Sequence, residues 1–318
     1  MPHPYRYWLA LHPDIARPIG GVKQMHRFAE ALNHLGRQSK IIQDNADFHP
    51  GWFRSNVNTI SYSEFLSRTD LRPDRDVVIL PETFLPALPT YAPGLPKIVF
   101  NQNGAYSFGL KSGDGFPDPD QVLRLYSHPD LIHVLCVSRH DELLLQNLLQ
   151  SGSTRLSRLI NSIETNLFHP TDVKQRIIAY MPRKNAKDSS VVAAILQSKP
   201  WFRDSGWSLQ AISGLPQHEV AKILQRSLVF LAFGHPEGFG LPIAEAAGCG
   251  CYVIGYSGLG GRELLQLTSA NQAGKEIAYG DWVGFVQACA EVNDSLISNQ
   301  DALVKSLLRS SKKIRQIY

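Results

Sequence analysis

The feature that most constrains the fold of this chain is the alternation of short apolar runs with longer amphipathic stretches. The apolar run YWLAL at 7–11 is followed by a stretch in which Val22, Met25, Phe28 and Leu32 recur at helical spacing, and VVIL at 77–80 is a further short apolar run. This alternation is typical of βαβ units packed around a parallel sheet. The sequence therefore predicts an α/β fold.

The length of 318 residues predicts two domains, because a single core rarely serves more than about 250 residues. The polar stretch NSIETNLFHPTDVKQ at 161–175 has no period and interrupts the pattern, as interdomain connections do. We expect α/β domains at 1–168 and 169–300, followed by a tail helix at 301–318. The predicted strands are 7–11, 39–42, 77–80, 97–100, 135–137, 176–180, 208–212, 228–233, 252–255 and 275–279. The first predicted helix follows the Gly20-Gly21 turn. The other predicted helices cover 139–150, 189–197, 218–225, 242–248, 260–267, 282–292 and the tail.

Composition and charge exclude several function classes. With 43% hydrophobic and 19% charged residues, the chain belongs with soluble globular proteins. The net charge of +4 favours phosphorylated substrates or an anionic membrane surface without requiring either. Nucleic acid is not an expected partner, because the sequence has no basic stripe with interleaved aromatic residues.

The four cysteines have no CxxC spacing, which argues against a zinc site or a disulfide framework. The sequence begins without a signal-peptide pattern, and no apolar run approaches the roughly 20 residues of a membrane span. A cytoplasmic location is expected. Near the end, Arg309, Lys312, Lys313 and Arg315 lie in a helical pattern. They form either a solvated helix face or a peripheral contact with the inner face of the membrane.

The strongest functional signal is the segment 228–264, LVFLAFGHPEGFGLPIAEAAGCGCYVIGYSGLGGREL. A strand-like run ends in a loop that contains Gly234, Gly238 and Gly240, and a helix follows with Pro242 at its expected first position. A glycine-rich loop before a helix N-terminus binds polar or anionic groups, because unpaired N–H groups and the positive end of the helix dipole face the ligand. This segment is the candidate binding site.

Two carboxylates belong to the same segment. Glu237 is expected in the loop and Glu245 in the first turn of the helix, so both are expected near one helix end. Carboxylates accept hydrogen bonds from sugar or ribose hydroxyls. The alternative is that Glu245 only complements the helix dipole and that Glu237 is a solvated turn residue.

These motifs resemble the two-glutamate signature of retaining GT-B glycosyltransferases of family 4, EGFGLPxxE followed by an alanine-rich helix, a CGxxV strand and a GGxxE stretch. The matching residues are Glu237, Gly238, Phe239, Gly240, Leu241, Pro242, Glu245, Cys249, Gly250 and Val253, and Gly260, Gly261 and Glu263 lie nearby. A second similarity is IGGVKQMHRFAEALNHLG, in which Gly20 and Gly21 match the family's glycine pair beside the donor diphosphate. A third is the connecting NGIDxxxFxP pattern, which here has Ser162 in place of its glycine.

The family's basic pair after the first strand of the second domain corresponds to YMPRKNAKD, with Arg183, Lys184 and Lys187. Cations at this strand end are expected to stabilise the charge that grows on the leaving diphosphate. The family's glycine is absent there and the spacing differs, so which lysine serves stays open.

The first domain departs further from the family. Many relatives have a histidine before glycine at the end of a central strand, where this chain has Asn101, Gln102 and Asn103. An amide can hold a hydroxyl group but cannot transfer a proton near neutral pH. His12 is a candidate replacement on the acceptor side, as are Asp14 and His26. Each of these, like His235 beside Glu237, is more often a surface or packing residue.

The resemblance implies two Rossmann-like domains that face each other across a cleft, and a tail helix at 301–318 that can pack back on the first domain. It also implies retaining transfer of a sugar from a nucleoside diphosphate sugar to a hydroxyl of a carbohydrate or glycolipid, in surface polysaccharide or glycolipid synthesis. Glu245 would hold the ribose, Glu237 and the N–H groups of Phe239, Gly240 and Leu241 the sugar, and the basic residues the diphosphate. No metal or other cofactor is expected. The alternatives are a catalytically silent carbohydrate- or nucleotide-binding protein and a nucleotide-sugar epimerase.

Overall fold

The computed structural model describes residues 5–109, 118–149 and 154–318. The chain divides into two compact units, Met1–Leu159 and Ile160–Tyr318. The predicted connection, 161–175, therefore lies at the start of the second unit. The predicted end of one helix at residue 150 falls outside the described residues.

The first unit is built around a parallel sheet of seven strands in the order β3-β2-β1-β4-β5-β6-β7. The strands are β1 Arg6–Ala10, β2 Gln38–Gln43, β3 Thr59–Ser61, β4 Asp76–Pro81, β5 Lys97–Asn101, β6 Leu131–Cys136 and β7 Arg155–Arg158. The helices are α1 Gly20–His34, α2 Tyr62–Ser67, α3 Pro119–Tyr126 and α4 Arg139–Leu148, with short 3-10 helices at Glu82–Ala87 and Gly104–Phe108.

The central strands of this sheet are buried on both faces, which explains their continuous apolar sequence. Val78, Ile79 and Leu80 of β4 are fully buried. Helix α4 begins where the Ser138 side chain accepts a hydrogen bond from the backbone N–H of Asp141, an N-cap that satisfies a free donor of the first turn.

The second unit has a parallel sheet of five strands in the order β12-β11-β10-β8-β9. Its strands are β8 Gln175–Tyr180, β9 Ser208–Ala211, β10 Ser227–Ala232, β11 Tyr252–Gly255 and β12 Gly274–Glu276. Its helices are α5 Ala186–Ser198, α6 Pro200–Asp204, α7 Gln217–Arg226, α8 Leu241–Gly248, α9 Arg262–Ala270, α10 Trp282–Ser298 and α11 Gln300–Ile317. Every predicted strand overlaps an observed one, and the predicted α/β fold with parallel sheets is confirmed.

The segment before β8 packs on the second unit. Ile163 and Phe168 are buried, the N–H of Ile163 donates to the carbonyl of Tyr318, and Gln217 donates to the Glu164 carboxylate at 2.6 Å. Helix α11 packs on α8, α9 and α10 of the same unit. The loops that follow β8 and β10, neighbouring strands of this sheet, leave from the same edge and bring their residues together there.

Candidate active site

The loop between β10 and α8, residues 233–240, leads into a helix start with free donors. Gly240 precedes the helix with a φ of +85°, a conformation that strongly favours glycine, and Pro242 lies in the first turn. Within the described part of the chain, the N–H groups of Phe239, Gly240 and Leu241 donate to no acceptor. The expected cluster of free donors at a helix N-terminus is therefore present in the structure.

A second glycine-rich loop holds the backbone of Glu237 in place. The N–H of Glu237 donates to the carbonyl of Gly258 at 2.8 Å, and the N–H of Gly260 donates to the carbonyl of Glu237 at 3.0 Å. A Cβ on Gly260 would overlap the carbonyl of Gly238, and one on Gly258 would lie 2.6 Å from the Cβ of Glu237. Position 260 thus needs glycine, because two loop backbones pass each other there at van der Waals distance.

The Glu237 carboxylate lies over Gly234 and pairs with Lys184. Lys184 Nζ is 2.9 Å from Glu237 Oε1 and donates to the carbonyl of Pro236 at 3.0 Å. Asn185 reinforces this link by donating from Nδ2 to the carbonyl of Phe233 at 2.7 Å. The loop after β8 is therefore tied to the loop after β10, which fixes Lys184 beside Glu237.

A pocket opens between these two loops. Arg183 is exposed at its edge, and neither Arg183 nor Lys187 forms an ion pair among the described residues. Lys187, the second residue of α5, does not line the pocket. The lining residues are Met181, Arg183, Lys184, Phe230, Leu231, Ala232, Phe233, Gly234, Glu237, Gly240, Pro242 and Ile243. A free cation and free N–H donors at one pocket suit an anionic ligand.

The position of Glu245 differs from the expected one. Helix α8 begins at Leu241 rather than at Pro242, so Glu245 is its fifth residue and lies in the second turn, not the first. The side chain is buried, with 7% of its surface exposed. Its predicted role at the ribose stays a prediction.

Two aromatic residues near the pocket, His235 and Tyr279, do not belong to any of the motifs found in the sequence. His235 stacks on Tyr279 with ring centroids 4.3 Å apart, and Tyr279 contacts Tyr256, whose hydroxyl donates to Asp188 at 2.9 Å. Burial lowers the pKa of His235, the Lys184 ammonium lowers it further, and Glu237 opposes both. The imidazole is therefore neutral at neutral pH. Only the placement of Tyr279 after the last strand could have suggested this contact.

In the first unit, Gly20 and Gly21 form the first turn of α1 rather than a loop before it. A Cβ on Gly21 would lie 3.3 Å from the Gln102 side chain, which donates to the carbonyl of Gly21 at 3.2 Å. The Gln102 N–H in turn donates to the buried Glu82 carboxylate at 2.9 Å. The side chain of Gln102 thus covers the first turn of this helix. The predicted diphosphate role of the glycine pair stays a prediction.

The three acceptor-side candidates have distinct surroundings. His12 is half-buried, stacks on Tyr62 with centroids 4.4 Å apart and has Nε2 at 3.1 Å from the Tyr91 hydroxyl. Burial lowers the pKa of His12, so the ring is neutral at neutral pH. Asn101 is fully buried and donates to Ser107 and Tyr126. Asn103 caps the 3-10 helix Gly104–Phe108.

Two further residues named from the sequence, Asp14 and His26, are engaged locally. Asp14 accepts hydrogen bonds from the backbone N–H groups of Asp44 and Asn45. His26 is buried, its Nδ1 lies 3.0 Å from the Ser55 hydroxyl, and burial lowers its pKa to about 4. Within the described residues, no group of three or more His, Cys, Asp or Glu is placed to hold a metal ion, and no helix is long and apolar enough to span a membrane.

Comparison with known proteins shows which class of enzyme the chain resembles. No protein-family model matches it. It is 25% identical over 244 residues to an alpha-1,6-glucosyltransferase of Actinobacillus pleuropneumoniae serotype 7, a match covering 74% of this chain and 69% of that protein. Sucrose-phosphate synthase from Thermosynechococcus elongatus superposes with a TM-score of 0.71 and 14% identity over 99% of this chain and 95% of that one.

The pneumococcal O-GlcNAc transferase GtfA, solved in complex with UDP and GlcNAc, superposes with a TM-score of 0.67 and 11% identity, covering 99% of this chain and 97% of that one. The similarity to a glucosyltransferase over most of both chains favours transfer over the silent and epimerase alternatives. The chain has the GT-B fold and is a glycosyltransferase.

Proposed function

We propose that this enzyme transfers a glucosyl unit from a uridine diphosphate sugar to a hydroxyl group of a carbohydrate or glycolipid. The observation that carries the proposal is the joint presence, in one pocket of the second unit, of the free N–H donors at the start of α8 and the exposed guanidinium of Arg183. The complex of the GtfA transferase with UDP supports the uridine base. The alpha-1,6-glucosyltransferase supports the glucosyl group.

Arg183 and Lys184 bind the diphosphate in this proposal. Arg183 has no competing ion pair among the described residues, so its guanidinium can donate two hydrogen bonds to phosphate oxygens. Lys184 is held at the pocket by Glu237. Fixed cations and N–H dipoles of this kind stabilise the charge that develops on a leaving diphosphate, so we propose that no metal is needed.

In this proposal, the carboxylates of Glu237 and Glu245 bind different hydroxyl groups of the donor. Glu237 reaches into the pocket and accepts hydrogen bonds from sugar hydroxyls, while the N–H groups of Phe239, Gly240 and Leu241 face the sugar and its phosphate. Glu245, buried one turn further along α8, accepts from the ribose hydroxyls. Buried carboxylate acceptors discriminate strongly against analogues that lack the hydroxyl.

We propose that the reaction retains the anomeric configuration. The bond between the anomeric carbon and the diphosphate oxygen breaks, the acceptor oxygen bonds to that carbon on the same face, and the acceptor proton passes to the departing diphosphate. The alpha linkage in the relative's name is the product that retention gives from an α-configured donor. Surface polysaccharide or glycolipid synthesis in the cytoplasm is the proposed setting.

The test begins with a thermal-shift screen of the full chain against UDP-, GDP-, TDP- and ADP-glucose. A ligand at 100 times its Kd stabilises the fold by about 2.7 kcal/mol, which such a screen detects. Glu245→Ala should weaken binding of the preferred nucleotide. Glu237→Gln should lower kcat and leave nucleotide affinity intact, because it removes a sugar contact but keeps the loop. Glu219→Gln, an exposed carboxylate of α7, is the matched control.

Product analysis by mass spectrometry and NMR then identifies the transferred sugar and its anomeric configuration. Absence of nucleotide release in the presence of any sugar acceptor, with intact nucleotide binding, would indicate a binding protein. A shift with none of the four nucleotides would remove the proposed donor site.

A further inference from the structure

The outward face of α11 is basic from Lys305 onward. The inner face of this helix, including Leu303, Leu307 and Ile314, is buried. Its outward residues include Lys305, Arg309, Lys312 and Lys313, all exposed. Residues 302–318 contain no Asp or Glu, and none of the four cations has an ion-pair partner among the residues that the structure describes. The positive charge of this face is therefore not compensated within the chain.

Two apolar side chains flank these cations. Leu308 is 47% exposed and Ile317 is 50% exposed, on opposite sides of the basic stripe. A helix that presents a row of cations bordered by exposed aliphatic residues has the composition of one that lies in the interface plane of a membrane. Nucleic acid fits this face less well, because it carries no aromatic side chain on which a base could stack.

We propose that the face formed by Lys305, Leu308, Arg309, Lys312, Lys313 and Ile317 docks the enzyme on a bilayer that contains anionic phospholipids. Each cation near an anionic surface strengthens binding by roughly fivefold, and the attraction falls within a Debye length as salt is added. Leu308 and Ile317 enter the headgroup region. Docking requires neither donor nor acceptor, so it is independent of the proposed reaction.

The experiment is co-sedimentation of the full chain with vesicles of phosphatidylglycerol and phosphatidylcholine and with vesicles of phosphatidylcholine alone. The wild type should bind the anionic vesicles only, and added salt should release it. The triple variant Lys305→Gln, Arg309→Gln, Lys312→Gln should lose binding by about 100-fold. The matched control Arg203→Gln, Lys222→Gln, Arg226→Gln carries the same charge change on exposed positions away from α11 and should bind like the wild type.

The variant Leu308→Ser, Ile317→Ser keeps every charge and should also bind anionic vesicles more weakly. Equal binding by the triple variant and the control would overturn the proposal. So would displacement of the wild type from vesicles by millimolar inorganic phosphate, which would mean a site for free anions. If the wild type binds single-stranded RNA tightly and the variant Leu308→Ser, Ile317→Ser binds it equally well, the proposal is wrong and the face is a nucleic-acid surface.

Discussion

Replacing Asp141 by asparagine should change how the stability of the first unit depends on pH. Asp141 lies in the first turn of α4 with 1% of its surface exposed. Its Oδ1 accepts a hydrogen bond from the N–H of Gly104 at 3.2 Å, while its Oδ2 has no partner in the described structure. Burial raises its pKa from 3.8 to about 7, although the bonds from Gly104 and Ser138 oppose the rise.

The sign of the effect follows from proton binding. Between the ordinary pKa of 3.8 and the native value of about 7, the folded state holds a proton that the unfolded state releases. The free energy of unfolding therefore falls as pH rises through this range and stays low above it. At 1.36 kcal/mol per pH unit the loss has an upper bound of about 4 kcal/mol. For a unit of this size, that corresponds to at most about 8–16 °C in Tm.

Asparagine keeps an acceptor for Gly104 and cannot ionise. Differential scanning calorimetry at pH 5 and pH 8 should therefore show Asp141→Asn raising the Tm of the first unit at pH 8 far more than at pH 5. Glu142→Gln, which removes a partly exposed carboxylate on the same helix turn, is the control and should show no such pH dependence. An equal Tm difference at both pH values would refute the reasoning.

Two further predictions concern the second unit. Gly260→Ala should abolish most sugar transfer and lower Tm, because the added Cβ would overlap the carbonyl of Gly238. The control Leu259→Gly should keep activity, because Leu259 has a φ of +74°, which favours glycine. Progress curves of the transfer reaction with both variants test this. Arg183→Met should weaken nucleotide affinity by roughly ten- to hundredfold in calorimetric titrations, which is the contribution of a charge-assisted hydrogen bond. Lys187 lies outside the pocket, so Lys187→Met should change that affinity by less than about threefold.

The strands with continuous apolar sequence could be predicted because burial on both faces strongly favours apolar residues. Strands β10 and β11 are of this kind. Strand β7, RLSR, escaped prediction because it lies at the sheet edge with alternating exposed and half-buried residues and no apolar run. Strand β3 has only three residues, too few to show a period. Edge position and short length therefore account for these two omissions.

The start of α8 was predicted one residue too late. Proline at the first helical position is a sound expectation, yet Gly240 in the left-handed conformation lets the helix begin at Leu241. Glu245 is the fifth residue of this helix and lies in its second turn, and its side chain is buried. The end of β12 was likewise misplaced: a strand was predicted at 275–279, but β12 ends at Glu276 and Tyr279 stacks on His235. Contacts between loops decide both details.

The ion pair of Lys184 and Glu237 could not be predicted, since no spacing rule joins residues that follow strands β8 and β10. Both side chains are about one-fifth exposed, and such a partly solvated pair contributes little to folding stability. Its consequence is instead for the donor. The pair holds Lys184 at a fixed place and Glu237 over Gly234. In the proposed reaction, Lys184 then lies beside the diphosphate and Glu237 beside the sugar hydroxyls. Glutamine at position 237 keeps the shape of this side chain, and its amide oxygen can still accept a hydrogen bond from Lys184. For this reason Glu237→Gln should affect turnover rather than nucleotide affinity.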